Sequence, residues 1–154
     1  MEIPTLSEKE KQKMNCEIFV GNRYSEIGFI MQKWGPQILQ EYTDYTATQA
    51  AEQFKAMGKD DSMGFAMAQA VSCKNLFGSE VDVIPNSDGS VTLDIKECAN
   101  LKTALDFAKR GAPITKEQHC DGCIGGYFRP VSEKLGLKLE VEFTDKGCRQ
   151  TYRK

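Results

Sequence analysis

Four cysteines in the second half of this 154-residue chain have the types and spacing that suggest chemistry. Cys120 and Cys123 form a C-x-x-C pair, which supplies two soft ligands on one turn of chain, while Cys98 and Cys148 lie at the ends of predicted strands. Thiolates that converge in this way bind zinc or the iron of an iron–sulfur cluster. We therefore expect these four cysteines to hold one of those two cofactors, and the residues do not decide between them.

Two other interpretations of the cysteines stay open. A metal-free site would use the thiols in redox or nucleophilic chemistry. Inert packing is the simpler alternative, because free cysteine is among the residue types most often buried in proteins. Cys16 and Cys73 lie on predicted helices among apolar residues, which favours packing for both, and whether Cys73 and Cys148 join the site stays open.

Polar residues beside the C-x-x-C pair are candidates for handling a substrate. His119, the single histidine, and Asp121 flank Cys120 and could orient a ligand or move protons. Tyr127 and Arg129 follow closely, and an arginine can bind an anionic substrate through two parallel hydrogen bonds. Simpler interpretations exist for His119 as a solvated loop residue and for Arg129 as a surface charge.

Composition narrows the class of protein. Twenty basic and 22 acidic residues give a net charge of -2, which argues against a strongly basic nucleic-acid binder. The sequence contains no apolar run long enough for a membrane helix and no apolar stretch typical of a secretory signal near its start. We expect a cytoplasmic protein with reduced thiols and a small-molecule ligand or substrate, and a homodimer stays open.

The first half of the chain has helical periodicity. Ser7 and Glu10 form a predicted capping box, and Gly35-Pro36 ends the first helical segment. Further helices follow as far as Gly78. The apolar residues that we expect on the inner face of the first segment are Met14, Ile18, Ile27, Ile30, Met31 and Trp34.

The second half changes to the alternation of half-buried strands. Residues 80–97 predict a β-hairpin, followed by helices over 101–110 and from about Cys120 to Leu135, then strands over 137–143 and 148–152. Short connections favour an antiparallel sheet in the order 1-2-4-3, which brings Cys98 and Cys148 to one edge.

The predicted fold class is therefore α+β, with an N-terminal helical half packed on a small four-stranded antiparallel sheet and two further helices. We expect a single domain over residues 1–154, with residues 1–79 as the helical half and residues 80–154 as the half that carries the sheet and the cysteines.

Three short motifs in the second half resemble a known family. DIKECANLKTA, HCDGCIGGYF and GCRQTY are similar to motifs of L-2-amino-thiazoline-4-carboxylic acid hydrolase-like proteins and, more distantly, of 4-vinyl-reductase-like, hydrocarbon-binding domains. The resemblance implies a small-molecule pocket between helices and sheet, and either sensing or hydrolysis of a carbon–sulfur bond at the cysteines. In an enzyme of this kind, a metal with an open position would polarise the substrate while His119 or Asp121 moved protons.

Overall fold

The computed structural model describes residues 3–154 as an α+β fold in which helices cover one face of an antiparallel sheet. The sheet has four strands in the order β1-β2-β4-β3, as the sequence predicted. In chain order the elements are α1 (Glu8–Ala56), α2 (Ser62–Val71), a first π-helical segment (Ser72–Leu76), β1 (Glu80–Pro85), β2 (Val91–Glu97), α3 (Ala99–Lys109), α4 (Lys116–Cys123), a second π-helical segment (Ile124–Phe128), α5 (Arg129–Lys134), β3 (Lys138–Phe143) and β4 (Cys148–Arg153).

Helix α1 is a helical hairpin and not one straight rod. The predicted capping box is present, because Ser7 accepts a hydrogen bond from the Glu10 amide and the Glu10 carboxylate accepts one from Ser7. Gly35 has φ 81° and ψ -176°, a backbone conformation that interrupts the helix immediately before Pro36. The chain reverses there, since the Tyr42 hydroxyl donates to Glu26 at 2.5 Å across 16 positions. We call residues 8–34 the first arm and residues 36–56 the second arm.

The first arm buries a different face from the one that its apolar periodicity predicted. Of the six residues expected inside, Ile30 is buried, whereas Met14, Ile18, Met31 and Trp34 are exposed. Cys16 and Val20 are the other buried apolar residues of this arm. Val20 packs against α3, and the side of the arm that carries Met14 and Ile18 therefore faces solvent. None of the described residues buries these two side chains.

The main core lies between the inner face of the sheet and the helices. Phe65 of α2 stacks edge-to-face on Tyr152 of β4, with ring centroids 5.2 Å apart, and both side chains are fully buried. The Tyr152 hydroxyl donates to Gln150, so this buried polar pair satisfies part of its own hydrogen-bonding need. The outer face carries ion pairs such as Lys96–Asp82 at 2.6 Å, as expected for a solvated sheet face.

The pairing of β2 with β4 brings the middle of the chain to its end. Ile95 lies opposite Cys148, and the Cys98 amide donates to the Lys146 carbonyl at 2.8 Å. The chain enters β4 through Gly147, whose Cα faces the Ile95 carbonyl so closely that a Cβ would overlap that oxygen. Only glycine fits this approach.

Among residues 3–154, no helix has both the length and the apolar character needed to cross a membrane.

We predict that Gly147→Ala lowers the free energy of unfolding by about 3 kcal/mol, because the new methyl group must push β2 and β4 apart. Urea denaturation measures the loss. Gly122→Ala is the matched control, since a Cβ at Gly122 meets nothing within 4 Å and alanine favours a helix. Equal stability of the Gly147 variant and the native chain would contradict the assigned β2–β4 approach.

Candidate functional site

Five cysteines from separate parts of the chain form what we call the thiol cluster. Cys73 comes from the first π-helical segment, Cys98 precedes α3, Cys120 and Cys123 lie on α4, and Cys148 begins β4. These thiols lie close enough together that a negative charge on Cys98 raises the pKa of each of the other four. For all four, Cys98 has a larger effect than any other thiol. The same charge raises the pKa of Cys16, so Cys98 lies within electrostatic range of the other five cysteines.

The cluster does not have the arrangement of a metal site. All six cysteines are free thiols, and residues 3–154 contain no group of three or more histidine, cysteine, aspartate or glutamate side chains placed to hold a metal ion. The expectation that Cys98, Cys120, Cys123 and Cys148 hold zinc or an iron–sulfur cluster is therefore wrong.

The contacts of the two sulfurs at the sheet edge give a physical reason for this failure. Ligand sulfurs must converge on one point at about 2.3 Å. The Cys98 sulfur instead accepts a hydrogen bond from the Leu101 amide at 3.4 Å, and the Cys148 sulfur accepts one from Gln150 at 3.3 Å. Each is thus directed to a partner on its own element.

The C-x-x-C pair lies within a helix and not at its start, which corrects the sequence-based expectation. Thr115 and Gln118 form a capping box that begins α4 at Lys116, so Cys123 is the last residue of α4. The chain then continues without a break through the second π-helical segment into α5. The stabilisation of thiolates at a helix N-terminus therefore does not reach the C-x-x-C pair, and it is Cys98 that caps a helix, α3.

Burial keeps the thiols of the cluster protonated. It raises the pKa of Cys73 to about 12 and the pKa of Cys120 and of Cys148 to about 11. Burial also raises the pKa of Cys98, but the Leu101 and Asn100 amides oppose that shift by donating to its sulfur. Cys123 keeps an exposed residue surface, while the protein packed around its sulfur raises its pKa far above the ordinary value.

The two candidate proton carriers have different surroundings. The His119 ring Nδ1 lies 3.3 Å from the Tyr24 hydroxyl, and burial lowers the pKa of His119, so the ring is neutral at neutral pH. Asp121 is exposed on α4, and its negative charge contributes to the raised pKa of Cys120. Roles of His119 and Asp121 in catalysis stay predictions.

The two candidate substrate-binding residues separate in the structure. Tyr127 is half-buried against the core, and its hydroxyl accepts a hydrogen bond from Gln69 at 3.3 Å. Arg129 is exposed, and its guanidinium donates to the Leu139 carbonyl of β3 at 3.2 Å. Burial is the main cause of the raised pKa of Tyr127, and charges on Cys73 and Cys123 raise it further. Tyr127 thus lies beside the cluster. Arg129 joins α5 to the sheet, and binding of an anion by either residue stays a prediction.

Sequence reasoning left open whether Cys73 joins the cluster, and it missed the π-helical segments beside the cluster. The first segment carries Cys73, and the second begins at Ile124, directly after Cys123. Such segments are rare and are frequently found at functional sites. Their hydrogen bonds span five residues. The spacing of apolar residues looks the same in such a segment as in an α-helix, so the sequence offered no signal for them.

Two open clefts lie on the helices away from the thiol cluster. One, of about 460 Å³, separates the first arm of α1 from residues 76–77 and is lined by Phe19, Arg23 and Phe77 among others. The other, of about 540 Å³, follows the second arm of α1 near Tyr45. Neither lies between helices and sheet, where the family resemblance implied a pocket, so that pocket stays a prediction.

No family model, curated protein or solved structure matches this chain. The similarity to thiazoline hydrolase-like proteins and 4-vinyl-reductase-like domains therefore stays a prediction from the three short motifs.

We predict that the free energy of unfolding falls as the pH rises above 9, and that Cys73→Ala makes the fall shallower. The thiol of Cys73 ionises near 9 in the unfolded chain but at about 12 in the folded one, so its contribution is complete below pH 9 and is lost as the pH rises towards 12. Allowing for the partial exposure of Cys73, we expect the free energy of unfolding to fall between pH 7 and pH 10.5 by about 1 kcal/mol less in the variant than in the native chain. Urea denaturation across pH 7–10.5 measures it, and parallel pH profiles would contradict the burial of this thiol.

Proposed function

We propose that this protein is a metal-free, redox-responsive module in which Cys98 and Cys123 form a reversible disulfide. The observation that carries the proposal is the position of Cys98, whose sulfur lies within electrostatic range of Cys123 and is the only one of the five that caps a helix by accepting a hydrogen bond. The free-thiol structure corresponds to the reduced state.

Cys98 is a better disulfide partner for Cys123 than Cys120 is. Residues three positions apart on a helix have Cβ atoms about 5–6 Å apart, whereas a disulfide needs about 3.5–4.5 Å. A Cys120–Cys123 disulfide would therefore distort α4, which continues beyond Cys123 as helix. Cys98 lies on another element, and of all the thiols its charge has the largest effect on the pKa of Cys123.

The oxidant in this proposal is a low-molecular-weight disulfide, written RSSR. Cys123, the cysteine of the cluster with an exposed residue surface, loses its proton and attacks RSSR, which forms a mixed disulfide and releases one RSH. Cys98, whose thiolate accepts amide hydrogen bonds at the start of α3, then attacks the Cys123 sulfur and releases the second RSH. Two protein thiols are oxidised, one RSSR is reduced to two RSH, and no metal takes part.

The raised pKa values favour this redox function over hydrolysis. A hydrolytic cysteine needs a thiolate at neutral pH, and burial raises the pKa of every thiol in the cluster. A redox-responsive thiol can react slowly, because each protein molecule switches once and does not turn over. Hydrolysis of a thiazoline stays the alternative, and measured turnover of such a compound would support it.

Two contacts between α1 and the helix of the C-x-x-C pair offer a route for the response. The Tyr24 hydroxyl meets His119 at 3.3 Å, and Arg23 donates to the Gly126 carbonyl at 3.0 Å. In this proposal, closing a disulfide from Cys123 to Cys98 shifts α4 or the second π-helical segment. A shift of either one changes these contacts and so reaches the first arm of α1.

The test is to treat the reduced protein with excess oxidised glutathione at pH 7, 8 and 9 and to map disulfides by mass spectrometry. We expect a Cys98–Cys123 linkage whose rate of formation rises about tenfold per pH unit, because the thiolate fraction of a thiol with a raised pKa rises by that factor.

Three single variants sharpen the assignment. Cys98→Ser should stop the reaction at the mixed disulfide on Cys123, and Cys120→Ser should still form the linkage. Cys16→Ala is the matched control, because Cys16 is buried and already donates to the Phe77 carbonyl at 3.4 Å. A Cys120–Cys123 disulfide, or no disulfide at pH 9, would contradict the proposed pair.

A further inference from the structure

We propose that the end of the α1 hairpin binds the same surface of a second copy of this chain and so forms a homodimer. We call this the tip surface and define it by Phe29, Trp34 and Ile38, together with Tyr45 on the flank of the second arm. The proposal is independent of the thiol cluster.

The tip surface is apolar and exposed. Phe29 is 52% exposed, Trp34 57%, Ile38 38% and Tyr45 65%. Phe29 and Trp34 meet edge-to-face with ring centroids 5.2 Å apart, so these two aromatic rings already form one patch. Ile38 and Tyr45 are seven residues apart, which places them on one side of the second arm, opposite the buried Ala47.

Few contacts within the single chain stabilise the end of the hairpin. From residue 25 to residue 42, Ile30 alone is buried. The Tyr42–Glu26 hydrogen bond joins the arms, but its carboxylate is exposed. Two helices in water gain most of their stability from burying an apolar face, and between residues 25 and 42 this pair buries one side chain. A second hairpin would supply the missing contacts and complete a four-helix arrangement.

The exposed area suits a dimer of ordinary size. A large side chain contributes about 200 Å², so four of them, each about half exposed, offer roughly 400 Å² of apolar surface. A stable interface buries about 800 Å² on each partner, of which about 60% is apolar. The tip surface therefore provides most of the apolar part of such an interface.

The charges around the tip surface favour a second copy over a lipid surface. Lys33 on the first arm and the exposed Glu41 on the second arm have opposite signs. In a dimer with two-fold symmetry, the first arm of one copy can face the second arm of the other and pair these charges. A segment that binds anionic lipid needs a cluster of basic residues, which residues 29–45 lack: they contain one lysine, no arginine and two acidic side chains.

Trp34 is the single tryptophan of the chain, so its fluorescence reports on the tip surface directly. We expect sedimentation equilibrium to give a dimer at micromolar concentration, and the Trp34 emission maximum to move to longer wavelength as dilution separates the copies. Phe29→Glu and Ile38→Glu should each raise the dissociation constant about 30-fold or more, as the loss of a central apolar contact does. Their helical circular dichroism should stay unchanged, because both side chains are exposed in the single chain.

Met63→Glu is the matched control, since Met63 is 38% exposed but lies on α2, and this variant should remain dimeric. The proposal would be overturned by a monomer whose Trp34 emission does not change with concentration, or by a dimer that withstands both tip substitutions. A Trp34 shift that appears only with vesicles of anionic phospholipid, while the protein stays monomeric, would overturn it in favour of a membrane surface.

Discussion

The antiparallel pairing of β2 with β4 is the constraint on which the rest of the structure depends. It joins the middle of the chain to its last strand, and Gly147 permits it by leaving room for the Ile95 carbonyl. The pairing orders the sheet and brings Cys98 to the edge where Cys148 begins β4. It also sets Tyr152 on the inner face, where Phe65 seals the sheet against α2. The pairing of β2 with β4 therefore positions both the core and the thiol cluster.

Two opposing physical effects act on the pKa values of the thiol cluster. Burial and mutual repulsion of like charges keep its sulfurs protonated, while the start of α3 gives Cys98 amide donors that favour a thiolate. The site is thus quiet at neutral pH, and a disulfide formed there would persist, because the thiolates that would be released on reduction are poorly stabilised. A slow, durable response suits a module that records an oxidising environment better than an enzyme that must turn over.

Local sequence patterns predicted much of the architecture because local interactions decide it. The Ser7 capping box, the turn at Gly35-Pro36 and the hairpin over residues 80–97 each depend on side chains within a few positions of one another. The strand order followed from short connections alone. The prediction failed where competing local signals existed: the Thr115 capping box begins α4 ahead of the C-x-x-C pair, although Cys120 had been expected at the helix start.

The sequence by itself determined the α+β class, the strand order and the candidate residues around Cys98, because these follow from periodicity, turn chemistry and chain connectivity. Only the tertiary structure decided what the cysteines form and which apolar residues stay outside. Convergence on a metal needs sulfur positions accurate to a few tenths of an ångström, and no spacing rule supplies that accuracy. The face that the first arm buries depends on where α3 packs. Trp34 belongs to the helical apolar pattern of this arm, but its side chain is exposed to solvent.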